Sequence, residues 1–152
     1  MKMKQWLLAV GILVATLGVS GTAAAQYTYT PMVPCRAVDT RIAGFQGVNG
    51  TPKVGPAGRT FQIRGKCGVP STAQAVSVTV TATTLTEAGF SALWPAGIVY
   101  PQHSNINYIA VDGAVANGAV VMLGPNTAAL DLNAIASGVG VDLIIDVVGY
   151  YK

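Results

Sequence analysis

A side-chain period of two is the feature that most constrains this chain. From Gln74 to Thr84 the sequence reads QAVSVTVTATT, so Val76, Val78 and Val80 alternate with Ser77, Thr79 and Thr81. On an extended backbone successive side chains leave opposite faces, so this alternation sets one face against a core and the other in water. Beyond residue 25 no amphipathic 3.6-residue period holds for three turns. Val, Ile, Thr and Tyr come instead in short runs punctuated by Gly, Pro and Asn, the pattern of strands and turns.

Further strands are expected over 59–64, with Phe61 and Ile63 inward and Arg64 and Lys66 on the wet face, and over 88–94, 105–111, 118–123 and 127–132. The stretch 129–137 is the best helical candidate, but Asn133 and Ser137-Gly138 favour strand plus loop. The last run, 139–151, is apolar on both faces at Ile144, Ile145, Val147 and Val148, as a central covered strand requires. Turns are marked by Asn49-Gly50, Gly55-Pro56, Trp94-Pro95-Ala96-Gly97, Asp112-Gly113, Asn117-Gly118 and Gly124-Pro125-Asn126. Short strands at this spacing describe a sandwich or a barrel. The expected fold is all-β, a single antiparallel β-sandwich of jelly-roll or Ig-like type, with a glycine-rich surface loop over 41–58.

The first 25 residues stand apart. Lys2 and Lys4 precede an apolar run from Trp6 to Val19, and Ala23, Ala24 and Ala25 follow; together they have the layout of a secretory signal peptide cleaved after Ala25. The apolar run is shorter than the roughly 20 residues that span a bilayer. The mature domain is then 26–152, large enough for one core. The expected destination is extracellular or cell-surface, with the periplasm as the other possibility.

Removing Lys2 and Lys4 leaves seven Lys and Arg against six Asp and Glu, so the net charge falls from +3 to about +1. Nucleic-acid and polybasic membrane roles lose their support, since both need clustered cations. Charged residues are 10% of the chain, against about 25% in ordinary soluble domains. A surface so lightly charged associates readily with itself or with a matrix. The two cysteines, Cys35 and Cys67, are expected to pair in an oxidising compartment, closing a loop worth roughly 3 to 4 kcal/mol in the chain-entropy model. With His103 the single histidine, no metal site and no cofactor is expected.

A resemblance is carried by Pro34-Cys35-Arg36 with Asp39-Thr40-Arg41, Lys66-Cys67-Gly68-Val69-Pro70, Trp94-Pro95-Ala96-Gly97, Ser104 with Asn105 and Asn107, Ala116-Asn117, and Asp146-Val147-Val148-Gly149-Tyr150-Tyr151. In these strings the chain resembles a β-rich module of bacterial secreted and cell-surface proteins that opens with PCR-x-x-DTR and closes with D-x-x-GY. The resemblance covers nearly all of 26–152. It implies an extracellular module, sometimes repeated or joined to hydrolases, with no catalytic activity of its own.

Catalytic chemistry finds little to work with. A nucleophilic triad needs an imidazole beside its nucleophile, yet His103 and Ser104 are neighbours that leave a strand on opposite faces. Asp142 and Asp146 share a face of the last strand but lie roughly 13 Å apart by strand rise, too far for a glycosidase pair. No catalytic residues are therefore named, and no D-x-D-x-D-G calcium loop occurs. Arg36, Asp39, Arg41 and Asp146 are expected to form structural ion pairs, Asp146 with Arg36 or Arg41. Trp94, Tyr100 and Tyr108 are the candidate ligand-binding residues, since aromatic rings stack on sugar faces; closure of the core by Trp94 is the competing role. Tyr27 and Tyr29 mark a possible assembly edge. The expectation is a non-catalytic structural or adhesive module acting by self-association, as an oligomer or fibre, or by partner binding. The alternative is a carbohydrate-binding module for cell-surface or extracellular polysaccharide.

Overall fold

A computed structural model describes residues 26–125 and 130–152; the expected signal peptide and part of the expected 127–132 strand lie outside the described residues. The described chain forms β1 (Tyr29–Asp39), β2 (Arg59–Phe61), β3 (Ala75–Thr83), β4 (Gly89–Pro95), β5 (Ile106–Tyr108), a 3-10 turn (Ala110–Asp112), β6 (Ala114–Met122), β7 (Leu132–Ala136) and β8 (Asp142–Tyr151). Two four-stranded antiparallel sheets result, β1-β8-β3-β6 and β2-β7-β4-β5. This is the expected all-β sandwich.

The alternation of β3 does what its period requires. Val76, Val78, Val80 and Ala82 enter the core, while Ser77, Thr79, Thr81 and Thr83 are part-exposed on the outer face. β8 contributes Leu143, Ile145 and Val147 to the same core, and Phe61, Leu93, Leu132, Ala134 and Ala136 meet them from the second sheet. Each fully buried Val, Leu, Ile or Phe side chain contributes about 1.5 to 3 kcal/mol of transfer free energy. β8 is central, paired to β1 on one side and β3 on the other. That placement explains its double-sided apolarity, with Ile144 on the outer face still only 7% exposed. The chain closes on itself: Thr28 N donates to Lys152 O and Lys152 N to Thr28 O.

Three sequence expectations are corrected by pairing. Asn117-Gly118 is not a turn, because it lies inside β6 opposite Val80 and Thr79; the long alternating β3 supplies a ladder that overrides the local turn signal. The 59–64 strand ends at Phe61. Arg64 is not on a wet face but 7% exposed, since the amides of Ile63 and Arg64 leave the ladder and donate to Asp131 Oδ2, each at 2.7 Å. Residues 132–136, inside the stretch read as strand plus loop, are strand β7 as expected.

The Arg64–Asp131 pair is buried on both sides. Arg64 also donates from Nε to Ala73 O and from Nη1 to Gly124 O, each at 2.9 Å, so one guanidinium holds three separate segments. Removing one member of a buried, hydrogen-bonded pair strands the other charge and costs about 3 to 5 kcal/mol. Asp131→Ala is therefore expected to lower unfolding free energy by about that amount in urea titration. A loss below about 1 kcal/mol would show that the pair does not hold these segments.

Candidate functional site

The face of the second sheet turned away from the core gathers Trp94, Tyr100 and His103. Leu93 points into the core cluster, so its neighbour Trp94 lies on the outer face, opposite Asn133 of β7. After the turn in which Ile98 N donates to Pro95 O, the segment 98–104 folds back over the tryptophan. Trp94 Nε1 donates to Ile98 O at 2.8 Å. The Tyr100 ring tilts against the indole with centroids 5.0 Å apart, and Tyr100 Oη donates to His103 O. His103 Nε2 sits 3.1 Å from Leu93 O; since a carbonyl only accepts, Nε2 is the donor of this contact.

These contacts separate the three proposed ligand-binding residues. Trp94 is 8% exposed and serves as the anchor for the loop, not as an open stacking platform. Tyr100 is half-buried and lines two surface clefts. One, of about 320 Å³, is lined by Arg59, Thr60, Trp94 and Asn133 as well. The other, of about 510 Å³, is lined by Phe90, Gln102, His103, Ser104 and Asn107. Tyr108 does not join them: Ile106 and Tyr108 share the inward face of β5, and Tyr108 is 5% exposed with its hydroxyl donating to Phe90 O. No carboxylate lines either cleft, so the chemistry on offer is ring surfaces, amides, hydroxyls, one imidazole and the Arg59 guanidinium, which already donates to the carbonyls of Val48, Gly50 and Pro52. That suits a neutral, hydroxyl-bearing ligand better than proton transfer between paired acids.

The expected ion pairs are present. Arg36 grips Asp146 with two contacts, Nε to Oδ1 at 2.9 Å and Nη2 to Oδ2 at 3.2 Å, and these two residues are cross-strand partners. Its Nη1 reaches Asp39 Oδ2 at 3.3 Å, and Arg41 holds both oxygens of Asp39 at 2.8 and 2.7 Å. Thr40 Oγ1 donates to the buried Asp142 and accepts from Leu143 N. Two of the motif strings are thereby a clasp joining β1, β8 and the following loop. Cys35 is disulfide-bonded to Cys67, tying β1 to the loop that Arg64 anchors.

Tyr29 packs on Tyr151 with centroids 5.0 Å apart. A side chain at Gly149 would start 2.4 Å from its ring, which gives the glycine of the closing motif a packing role. Tyr27 and Tyr29 are each 44% exposed, but β1, which begins at Tyr29, carries Pro31 and Pro34 and the disulfide. Proline has no N–H to donate, so β1 is a poor edge for pairing. The sequence reading missed Arg64–Asp131 because 67 residues separate the partners and no local pattern links them.

No family model, curated protein or solved structure matches this chain.

The hydrogen bonds from Arg41, then its charge and that of Arg36, hold the Asp39 carboxyl below the usual carboxylate range despite burial. A carboxylate with a depressed folded-state pKa stabilises the fold above its unfolded pKa, about 3.9, and that contribution is lost as pH falls through the folded value. Wild type is therefore expected to exceed Asp39→Asn in urea midpoint at neutral pH, with the gap shrinking below about pH 4. A gap constant down to acid pH would assign the difference to packing instead.

Proposed function

We propose that this chain is a secreted, non-catalytic structural or adhesive module that works at a surface or in a matrix by associating with itself or with an uncharged partner. The observation that carries the reading is how the molecule uses its charges. Arg36, Asp39, Arg41 and Asp146 close on one another, Arg64 and Asp131 are buried together, and Arg59 donates to the carbonyls of Val48, Gly50 and Pro52. Glu87 accepts from Val139 N, and Asp112 from Ile109 N. Most ionised groups thus organise loops, and the broad strand faces are left to Thr, Ser, Ala, Val and Gly. Such faces meet a like surface or a neutral polymer with little desolvation of charge. The disulfide supports an oxidising compartment.

Light scattering after size exclusion, on oxidised 26–152 over a concentration series, tests the association. Mass rising with concentration is expected. A constant monomer mass up to millimolar concentration would remove self-association from the reading.

A second reading is favoured by the Tyr100 clefts: a carbohydrate-binding module for neutral polysaccharide. Tyr100→Ala removes the ring common to both clefts while leaving the Trp94 to Ile98 hydrogen bond. In affinity electrophoresis through neutral glucans, mannans and galactans, wild type is expected to be retarded by at least one polymer. Tyr100→Ala should weaken that binding at least about tenfold, the scale of one stacked aromatic pair. Equal mobility of the two proteins in every gel would end this reading.

A further inference from the structure

The four strands at sheet edges are β1 and β6 in one sheet and β2 and β5 in the other. Three are protected by familiar devices. β2 and β5 are only three residues long, and β1 carries Pro31, Pro34 and the disulfide to the neighbouring loop. β6 has none of these. It runs nine residues, AVANGAVVM, with no proline and no charge, and one side of its backbone is paired to β3 along its whole length. Its outer face shows Val120 at 62% and Met122 at 44% exposure. A long, uncharged, apolar edge is a template for another strand.

We infer that β6 is the self-association surface of this protein, joining two copies antiparallel across a two-fold axis at Gly118, so that the four-stranded sheet continues as eight strands. The inference rests on the self-association reading above and names its site. The strand's chemistry selects a second copy as the occupant. With Gly118 of one copy facing Gly118 of the other, Ala116 faces Val120 and Ala114 faces Met122. Each large exposed side chain on the outer face is thereby set against a small one. The nearest acid, Asp112, precedes the strand. In this register the two Asp112 carboxylates fall at opposite ends of the ribbon, so no like charges meet. A charged partner strand would find no counter-charge anywhere on β6. The ribbon is about 30 Å long at 3.4 Å per residue. A single strand pair of that length belongs among small interfaces below about 1,200 Å², so the dimer is reversible and concentration-dependent.

Cross-linking tests the register directly. A Cβ added at Gly118 meets nothing within 4 Å, so Gly118→Cys fits the folded monomer. Residues directly opposite in an antiparallel pair have Cα atoms about 4.5 to 5.5 Å apart, within the range a disulfide spans. Ala116→Cys is the control, because the two copies of residue 116 are offset by four residues, roughly 13 Å. On mild oxidation of the otherwise oxidised 26–152 chain, Gly118→Cys is expected to give mostly covalent dimer on non-reducing gels and Ala116→Cys little. Val120→Lys should weaken the wild-type dimer at least about tenfold in light scattering. If wild type assembles but Gly118→Cys cross-links no better than Ala116→Cys and Val120→Lys assembles normally, the β6 site is wrong while self-association stands. A wild type that stays monomeric overturns both.

Discussion

The loops of this sandwich depend on one buried charge pair. Asp131 stands at the entry to β7 and takes the amides of Ile63 and Arg64 together with the Arg64 guanidinium, which in turn holds the carbonyls of Ala73 and Gly124. Without it, the segment between β2 and β3 would bury backbone polar groups with no partner. With it, that segment can carry Cys67 to Cys35 and fasten the first strand. A hydrophobic core fixes how far apart two sheets lie, but it is indifferent to direction. Hydrogen bonds to a buried carboxylate are directional, and here they determine where β2 stops and how the loop to β3 crosses the end of the sandwich.

The second organising unit lies along the β1–β8 pairing. Asp39 is fully buried and is held by Arg41 and Arg36, while Arg36 also spans to Asp146 on β8. Three polar contacts around Thr40 and Asp142 continue the same seam. The cations are partly exposed, so solvent and salt screen their share of the energy. Their structural effect is to fix register between β1 and β8, which the Tyr29 ring over Gly149 also does. The residues that look most like a functional signature in the sequence are therefore occupied with holding the molecule closed. On the function proposed here, recognition falls instead to ordinary-looking positions: the Tyr100 clefts and the plain strand β6.

Much of the architecture was legible beforehand because its signals are local. The Val-Thr alternation of β3, the doubly apolar β8 and the Gly- and Pro-marked turns all follow from strand geometry and side-chain size. Legibility failed where a distant partner reversed a local preference. Asn117-Gly118 has the chemistry of a hairpin turn, but the ladder from Val80 and Thr79 keeps it extended. Arg64 sits where alternation points to water, yet Asp131 draws it inward. Trp94, Tyr100 and Tyr108 are alike in chemistry and close in sequence. Only the parity of β5 and the fold of 98–104 decide that Tyr108 joins the core, Trp94 anchors a loop and Tyr100 meets solvent.

The sequence by itself determined the strand class, the period that separates core from surface, and the cysteines and charges available for pairing, since these depend on residue type and nearest neighbours. The tertiary structure decided which charges meet, which rings face outward and which edge is left without protection. Those outcomes depend on strand order, and strand order joins residues from the two ends of the domain, as in the pairing of Tyr29 with Tyr151. Side-chain chemistry states what a residue can do; the pairing of distant strands sets what it is able to touch.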